Sequence, residues 1–139
     1  MPQHASLRLV VDHNVWISFL LTRSFPALSR MVDDTVVSLL YTDELLDDLA
    51  EVLLRPRLAK HLDPADVQLM FQRIRHRGEP IKVCSVVHLC RDPDDDSLLA
   101  LCKDGRADVL ITGDEDLLVL REFGNTRILS PANFLRTHS

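Results

Sequence analysis

Leu7-Arg8-Leu9-Val10-Val11-Asp12-His13-Asn14 is an apolar run with β-branched residues, interrupted only by Arg8 and closed by an acid. It is short and bounded by polar residues, so it reads as a largely buried first strand with a helix starting near Asn14. The pattern recurs about a hundred residues later, where Val109-Leu110-Ile111-Thr112 runs into Gly113-Asp114-Glu115-Asp116. Two buried strands that each end in a carboxylate are the signature from which the rest of the chain can be ordered.

Between them, Val36 to Leu40 reads as a second short strand. Thr42 with Asp43-Glu44 then opens a helix carrying Leu45, Leu46, Leu49, Val52 and Leu53, which stops before Pro56. Pro64 opens another helix, Ala65 to about Arg77, with Val67, Met70, Phe71 and Ile74 at helical spacing and Gly78 and Pro80 at its end. Ile81 to Val87 is expected as a third strand. Asp94-Asp95-Asp96 stands at the start of the next helix, whose apolar part is Leu98, Leu99, Leu101 and Cys102 and which Gly105 closes.

After the strand Val109 to Thr112, a short helix is expected from Asp114 to Leu120, a turn at Gly124, and a last strand from Arg127 to Leu129. Ser130 as N-cap and Pro131 as first helical residue begin a terminal helix. Strands alternating with helices imply an α/β fold with a mainly parallel sheet. In such sheets ligands bind beyond the carboxyl ends of the strands, where Asp12 and Asp114 both fall.

A length of 139 residues suits one domain, 1–139, in which roughly two-thirds of the unfolded chain's surface is hidden on folding. With 46% hydrophobic and 27% charged residues, disorder and low complexity are not expected. No apolar run approaches the roughly 20 residues needed to cross a bilayer, and Met1 to Ser6 lack a long apolar leader, so a cytoplasmic location away from membranes is expected. Cys84, Cys90 and Cys102 show no paired spacing; buried, reduced thiols are the default reading.

The net charge of −5 argues against a general nucleic-acid coating protein but is compatible with a nuclease whose rim is basic. Arg55, Arg57, Lys60 and His61 cluster, as do Arg73, Arg75, His76 and Arg77. Their plainer explanation is solvated helix C-termini. The four glycines, at 78, 105, 113 and 124, build neither a dinucleotide fingerprint nor a P-loop, and a serine-hydrolase elbow is missing as well.

The acids are therefore the strongest chemical signal. At about 4 Å and an effective dielectric near 20, each like-charge pair costs on the order of 4 kcal/mol, so a converging cluster calls for a cation or for raised pKa values. Oxygen-only donors suit Mg²⁺ or Mn²⁺ rather than zinc. Capping is the competing explanation for each acid taken singly. It is weakest for Asp12, at the end of an apolar strand, and strongest for Asp94, Asp95 and Asp96 at a helix start. Asp48 and Glu51 flank the apolar stripe of their helix, with a solvated face as the alternative.

Asp12-His13-Asn14, Glu44 to Pro56, Arg91-Asp92-Pro93-Asp94-Asp95-Asp96, and Ala107-Asp108 running through to Gly113-Asp114-Glu115-Asp116-Leu117-Leu118 together resemble PIN-domain proteins. The resemblance runs from about residue 7 to Leu135 and is nearest to the VapC-like toxins of bacterial toxin–antitoxin pairs. It implies a PIN-like α/β/α sandwich, a Mg²⁺- or Mn²⁺-dependent endoribonuclease acting on RNA, frequent homodimers, and inhibition by a cognate antitoxin. By position, Asp12 matches the first family acid, Asn14 its polar neighbour and candidate substrate contact, Asp95 the third acid, and Asp114 with Asp116 the last. Asp48 stands where glutamate is usual and His13 where threonine is common; Glu51, one turn on, is the candidate to make up for the shorter side chain.

The expectation is a metal-dependent ribonuclease with Asp12, Asp95 and Asp114 facing the metal, and Asp48 and Asp116 as ligands or water-orienting partners. The rival from another class is a catalytically weak PIN-like module that binds RNA or protein. A haloacid-dehalogenase-like phosphatase fits poorly, because Asn14 stands where that fold wants a second acid.

Overall fold

The computed structural model describes residues 7–22 and 37–138. Among them a six-stranded sheet has the order β3-β2-β1-β4-β6-β5, formed by β1 (Leu7–Val11), β2 (Val37–Tyr41), β3 (Gly78–Pro80), β4 (Val109–Ile111), β5 (Glu122–Phe123) and β6 (Thr126–Leu129). All pairings are parallel except the β5–β6 hairpin. The helices are α1 (His13–Leu21), α2 (Asp43–Leu53), α3 (Pro56–Ala59), α4 (Pro64–Arg77), α5 (Pro93–Gly105), α6 (Glu115–Leu118) and α7 (Pro131–His138). None of the helices described is long and apolar enough to cross a membrane. The expected α/β class with a mainly parallel sheet is what the chain adopts.

Strand alternation divides the interior into two cores. Leu9, Val11, Leu39, Tyr41, Val109 and Ile111 point to one face, where α1, α2, α4 and α7 cover them with Trp16, Leu49, Met70 and Phe134 among others. Val10, Leu40, Leu110 and Ile128 point to the other and meet Leu98, Leu99 and Leu101 of α5 and Leu117 of α6. Because successive side chains leave a strand on opposite faces, β1 and β4 must be apolar throughout. This is why the opening run reads as a continuous hydrophobic stretch.

Three expectations need correction. The third strand is not at Ile81–Val87 but at Gly78–Pro80, entered directly from α4. Gly78 permits that passage: a Cβ there would lie 2.2 Å from the Ile74 carbonyl oxygen and 2.7 Å from the Tyr41 ring. Second, the chain beyond β3 is an extended strap without a strand partner, tied to α5 by carboxylates. Asp104 accepts from the Cys84 and Ser85 amides at 2.6 and 2.8 Å and from the Ser85 hydroxyl at 2.5 Å. Asp96 accepts from the Leu89 and Cys90 amides at 3.0 and 2.7 Å. Third, the thiols are not uniformly buried, since Cys84 on this strap is exposed and only Cys102 is fully enclosed. Elsewhere β2 is described from Val37 onward; the expected first residue, Val36, lies outside the described residues, as does the leader reading of Met1 to Ser6.

Candidate metal centre

The central neighbours β1 and β4 are parallel in register, Val11 opposite Ile111. Chain continuing from each therefore emerges side by side, at the point where connections leave the sheet in opposite directions. Asp12 follows β1 and caps α1, accepting the Asn14 amide on Oδ1 at 3.2 Å. Its other oxygen, Oδ2, accepts from the Thr112 hydroxyl at 2.9 Å. Thr112 Oγ1 in turn accepts the Asp114 amide at 3.0 Å. Asp114 caps α6 by accepting the Asp116 amide at 2.9 Å. One hydroxyl thus ties the two strand-end acids together.

The third acid comes from across the cleft. Pro93 starts α5 and Asp92 caps it, accepting the Asp94 amide at 2.9 Å. This places Asp95 inward, only 5% exposed. Carboxylate oxygens of Asp95, Asp114 and Asp116 lie within 4.8 Å of one another. Asp95 Oδ2 is buried without a hydrogen-bond partner. Burial first, then hydrogen bonding to and the charge of Asp114, then the charges of Asp92 and Asp12, push the Asp95 carboxyl up to about 7. A buried oxygen with no donor, on an acid clustered with other acids, is the kind of atom a hard divalent cation satisfies. The donor set therefore fits Mg²⁺ or Mn²⁺.

The structure brings Asp12, Asn14, Asp48, Asp95 and Asp114 to the wall of one cleft of about 160 Å³, with Asp116 beside it. Asp48 is exposed on the α2 wall, and Glu44, one helical turn earlier, shares that wall. Glu51 is not among the lining residues, so it does not compensate for the shorter Asp48. Asp94 lines the rim, whereas Asp96, its neighbour but one, turns away to hold the strap. The Leu89 and Cys90 amides keep the Asp96 carboxyl below the usual range.

Sequence reasoning missed the part played by Thr112 and Asp92. The signal for Thr112 was a hydroxyl closing an otherwise aliphatic strand immediately before Gly113-Asp114; that for Asp92 was the Asp-Pro step, which marks an N-cap followed by a first helical residue. It also passed over Arg91, whose Nη2 lies 2.8 and 3.0 Å from the two carboxylate oxygens of Asp116.

Comparison with known proteins places this geometry. No curated protein and no solved structure matches the chain. A family model described as PIN domain matches residues 8–116, a span that includes β1 from its second residue, β4, α5 and every acid of the cleft. PIN domains are generally metal-dependent nucleases. The chain belongs to the PIN-domain family.

Proposed function

We propose that this protein is a metal-dependent endoribonuclease and the toxin of a toxin–antitoxin pair. The observation that carries the nuclease reading is the convergence of Asp95, Asp114 and Asp116, one of which, Asp95, has a buried carboxylate oxygen that no described protein donor meets. Asp95, Asp114 and Asp116 would hold Mg²⁺ or Mn²⁺, with Asp12, on the wall of the same cleft and tied to Asp114 through Thr112, adding negative charge. Such an ion, when bound, supplies charge for the phosphate in the transition state and lowers the pKa of an attacking water.

The residues divide the remaining work. Thr112 keeps its hydroxyl hydrogen on Asp12 Oδ2 while the Asn14 amide meets Oδ1, so the two bonds fix the orientation of that carboxylate. Asp48 and Glu44 on the α2 wall are exposed carboxylates that can accept the proton of the attacking water. Asn14, exposed at the first turn of α1, presents its side-chain amide to the RNA. A cleft this acidic excludes the phosphodiester backbone unless the site carries a cation, so binding of RNA and of metal should be linked. A homodimer and a cognate antitoxin belong to this reading by family resemblance.

The test is cleavage of mixed RNA substrates with Mg²⁺ or Mn²⁺ by wild type and Asp12→Asn. Cleavage should cease with a chelator and fall by at least about a hundredfold in the variant. Equal cutting by the two proteins would sink the enzymatic reading. For the toxin role, induced expression in a bacterium should arrest growth in wild type and not in Asp12→Asn.

A further inference from the structure

We propose that Arg91 is an exchangeable counter-ion of the acidic site, neutralising Asp116 until a divalent cation takes that carboxylate and then binding a phosphate of the RNA. The inference rests on the metal-dependent ribonuclease reading above. Its starting point is that one carboxylate has two claimants. Asp116 belongs to the trio whose oxygens lie within 4.8 Å of one another, yet both of its oxygens are engaged by a single nitrogen of Arg91 at 2.8 and 3.0 Å. An acid held by a guanidinium has less charge to offer an ion, so the two cations compete.

The two partners are anchored differently. Asp116 sits in the first turn of α6, its amide donated to Asp114. Arg91 has backbone fixed on either side, by the Cys90 amide on Asp96 and by the Asp92 cap of α5. Its side chain, however, is 86% exposed and lies against solvent. Rotating it away costs little, since an exposed ion pair holds weakly. Only one guanidinium nitrogen is spent on Asp116, so the planar fork that suits a phosphate is not committed.

The surroundings say why such a residue is useful here. The described residues lining the cleft include no lysine or arginine. Among the described residues, Arg91, beside Asp116 and next in sequence to the cleft residue Asp92, is an arginine placed to meet a polyanion approaching the acids. In the metal-free protein it offsets part of the repulsion among them. Once an ion has taken over that task, the guanidinium is released at the place where a phosphate arrives.

Calorimetric titration with Mn²⁺ alone and RNA binding in Ca²⁺ test this, using wild type, Arg91→Gln and Arg91→Lys. Arg91→Gln should bind Mn²⁺ about two- to fivefold more tightly. It should bind a short single-stranded RNA more weakly, with the salt slope of RNA binding reduced by about 0.7, the loss of one phosphate contact. Arg91→Lys should recover the slope. Unchanged Mn²⁺ affinity in Arg91→Gln, or an unchanged salt slope, overturns the inference while leaving the metal site intact. Absence of Mn²⁺ binding in wild type and variant alike overturns the ribonuclease reading and this inference with it.

Discussion

The two ends of the central strand treat their acids in opposite ways. Near the start of β1, Arg8 serves three acceptors: its amide donates to Asp108 at 2.9 Å, its Nε to the Gly105 carbonyl at 2.9 Å, and its Nη2 to Glu79 at 2.6 Å. There the Arg8 guanidinium holds Glu79 below the usual carboxylate range. Past the other end, Asp12 and Asp114 have hydroxyl or amide donors and Asp95 Oδ2 has none; among the described residues no basic side chain pairs with any of the three, and Asp95 rises to about 7. One end is arranged for folding, and the other keeps uncompensated charge that folding alone would not select.

The contrast is broken most severely at Thr112. Thr112→Val keeps the shape and apolar packing but removes the donor to Asp12 and the acceptor for the Asp114 amide. RNA cleavage should fall by about ten- to a hundredfold while the far-ultraviolet spectrum stays native, because supporting groups of a metal site are worth that much.

Next in size is the acid end's cost to stability. A carboxyl whose pKa is higher in the folded chain binds its proton more tightly there than when unfolded. The contribution of Asp95 to metal-free stability is therefore full below about pH 4 and is lost as pH rises through about 7. Asp95→Asn removes that dependence. With a chelator present, denaturant unfolding should find the variant more stable than wild type at pH 8, on the order of 2 kcal/mol, and little different at pH 4. A variant less stable than wild type at both pH values would mean that Asp95 serves the fold.

The carboxylates that hold the strap have the reverse sign. Asp104 is kept below the usual range by the Ser85 hydroxyl and the Ser85 and Cys84 amides, so its contribution is present at neutral pH and fades as pH falls through the carboxylate range. Asp104→Ala should lower the melting temperature at pH 7 and speed amide exchange at Cys84 and Ser85, with no effect on RNA cleavage. Smallest of all is the pair at the other end of β1. Arg8→Ala should cost less than about 1 kcal/mol through loss of Glu79, measured by the same unfolding experiment, and should leave cleavage unchanged.

Much of the site was legible before any coordinates. Asp12 and Asp114 stand out because an apolar strand ending in an acid is hard to explain by packing, whereas Asp95, one of three acids that a helix start can explain, is singled out only by the family resemblance. The strap shows why local pattern misleads. Ile81, Val83, Ser85 and Val87 are half-buried while Lys82, Cys84, Val86 and His88 are exposed, so the period of two is real. Yet the backbone amides near its middle and end go to Asp104 and Asp96 rather than to a neighbouring strand. Side-chain alternation reports which face is covered and says nothing of where the hydrogen bonds go. The missed strand β5 is only two residues long and exists through the turn at Gly124, whose φ of +60° closes the hairpin.

Helix and strand periodicity, capping residues and turn glycines are local properties, and they settled the α/β class and the positions of most elements without help from distant parts of the chain. Whether Asp95 is a cap or a buried acid depended on α5 packing against β1 and β2. Whether Asp12 and Asp114 are strangers or partners depended on the parallel register of β1 with β4. Those outcomes rest on contacts between residues about a hundred positions apart, where burial and mutual repulsion set the chemistry, and neither exists until the sheet has closed around them.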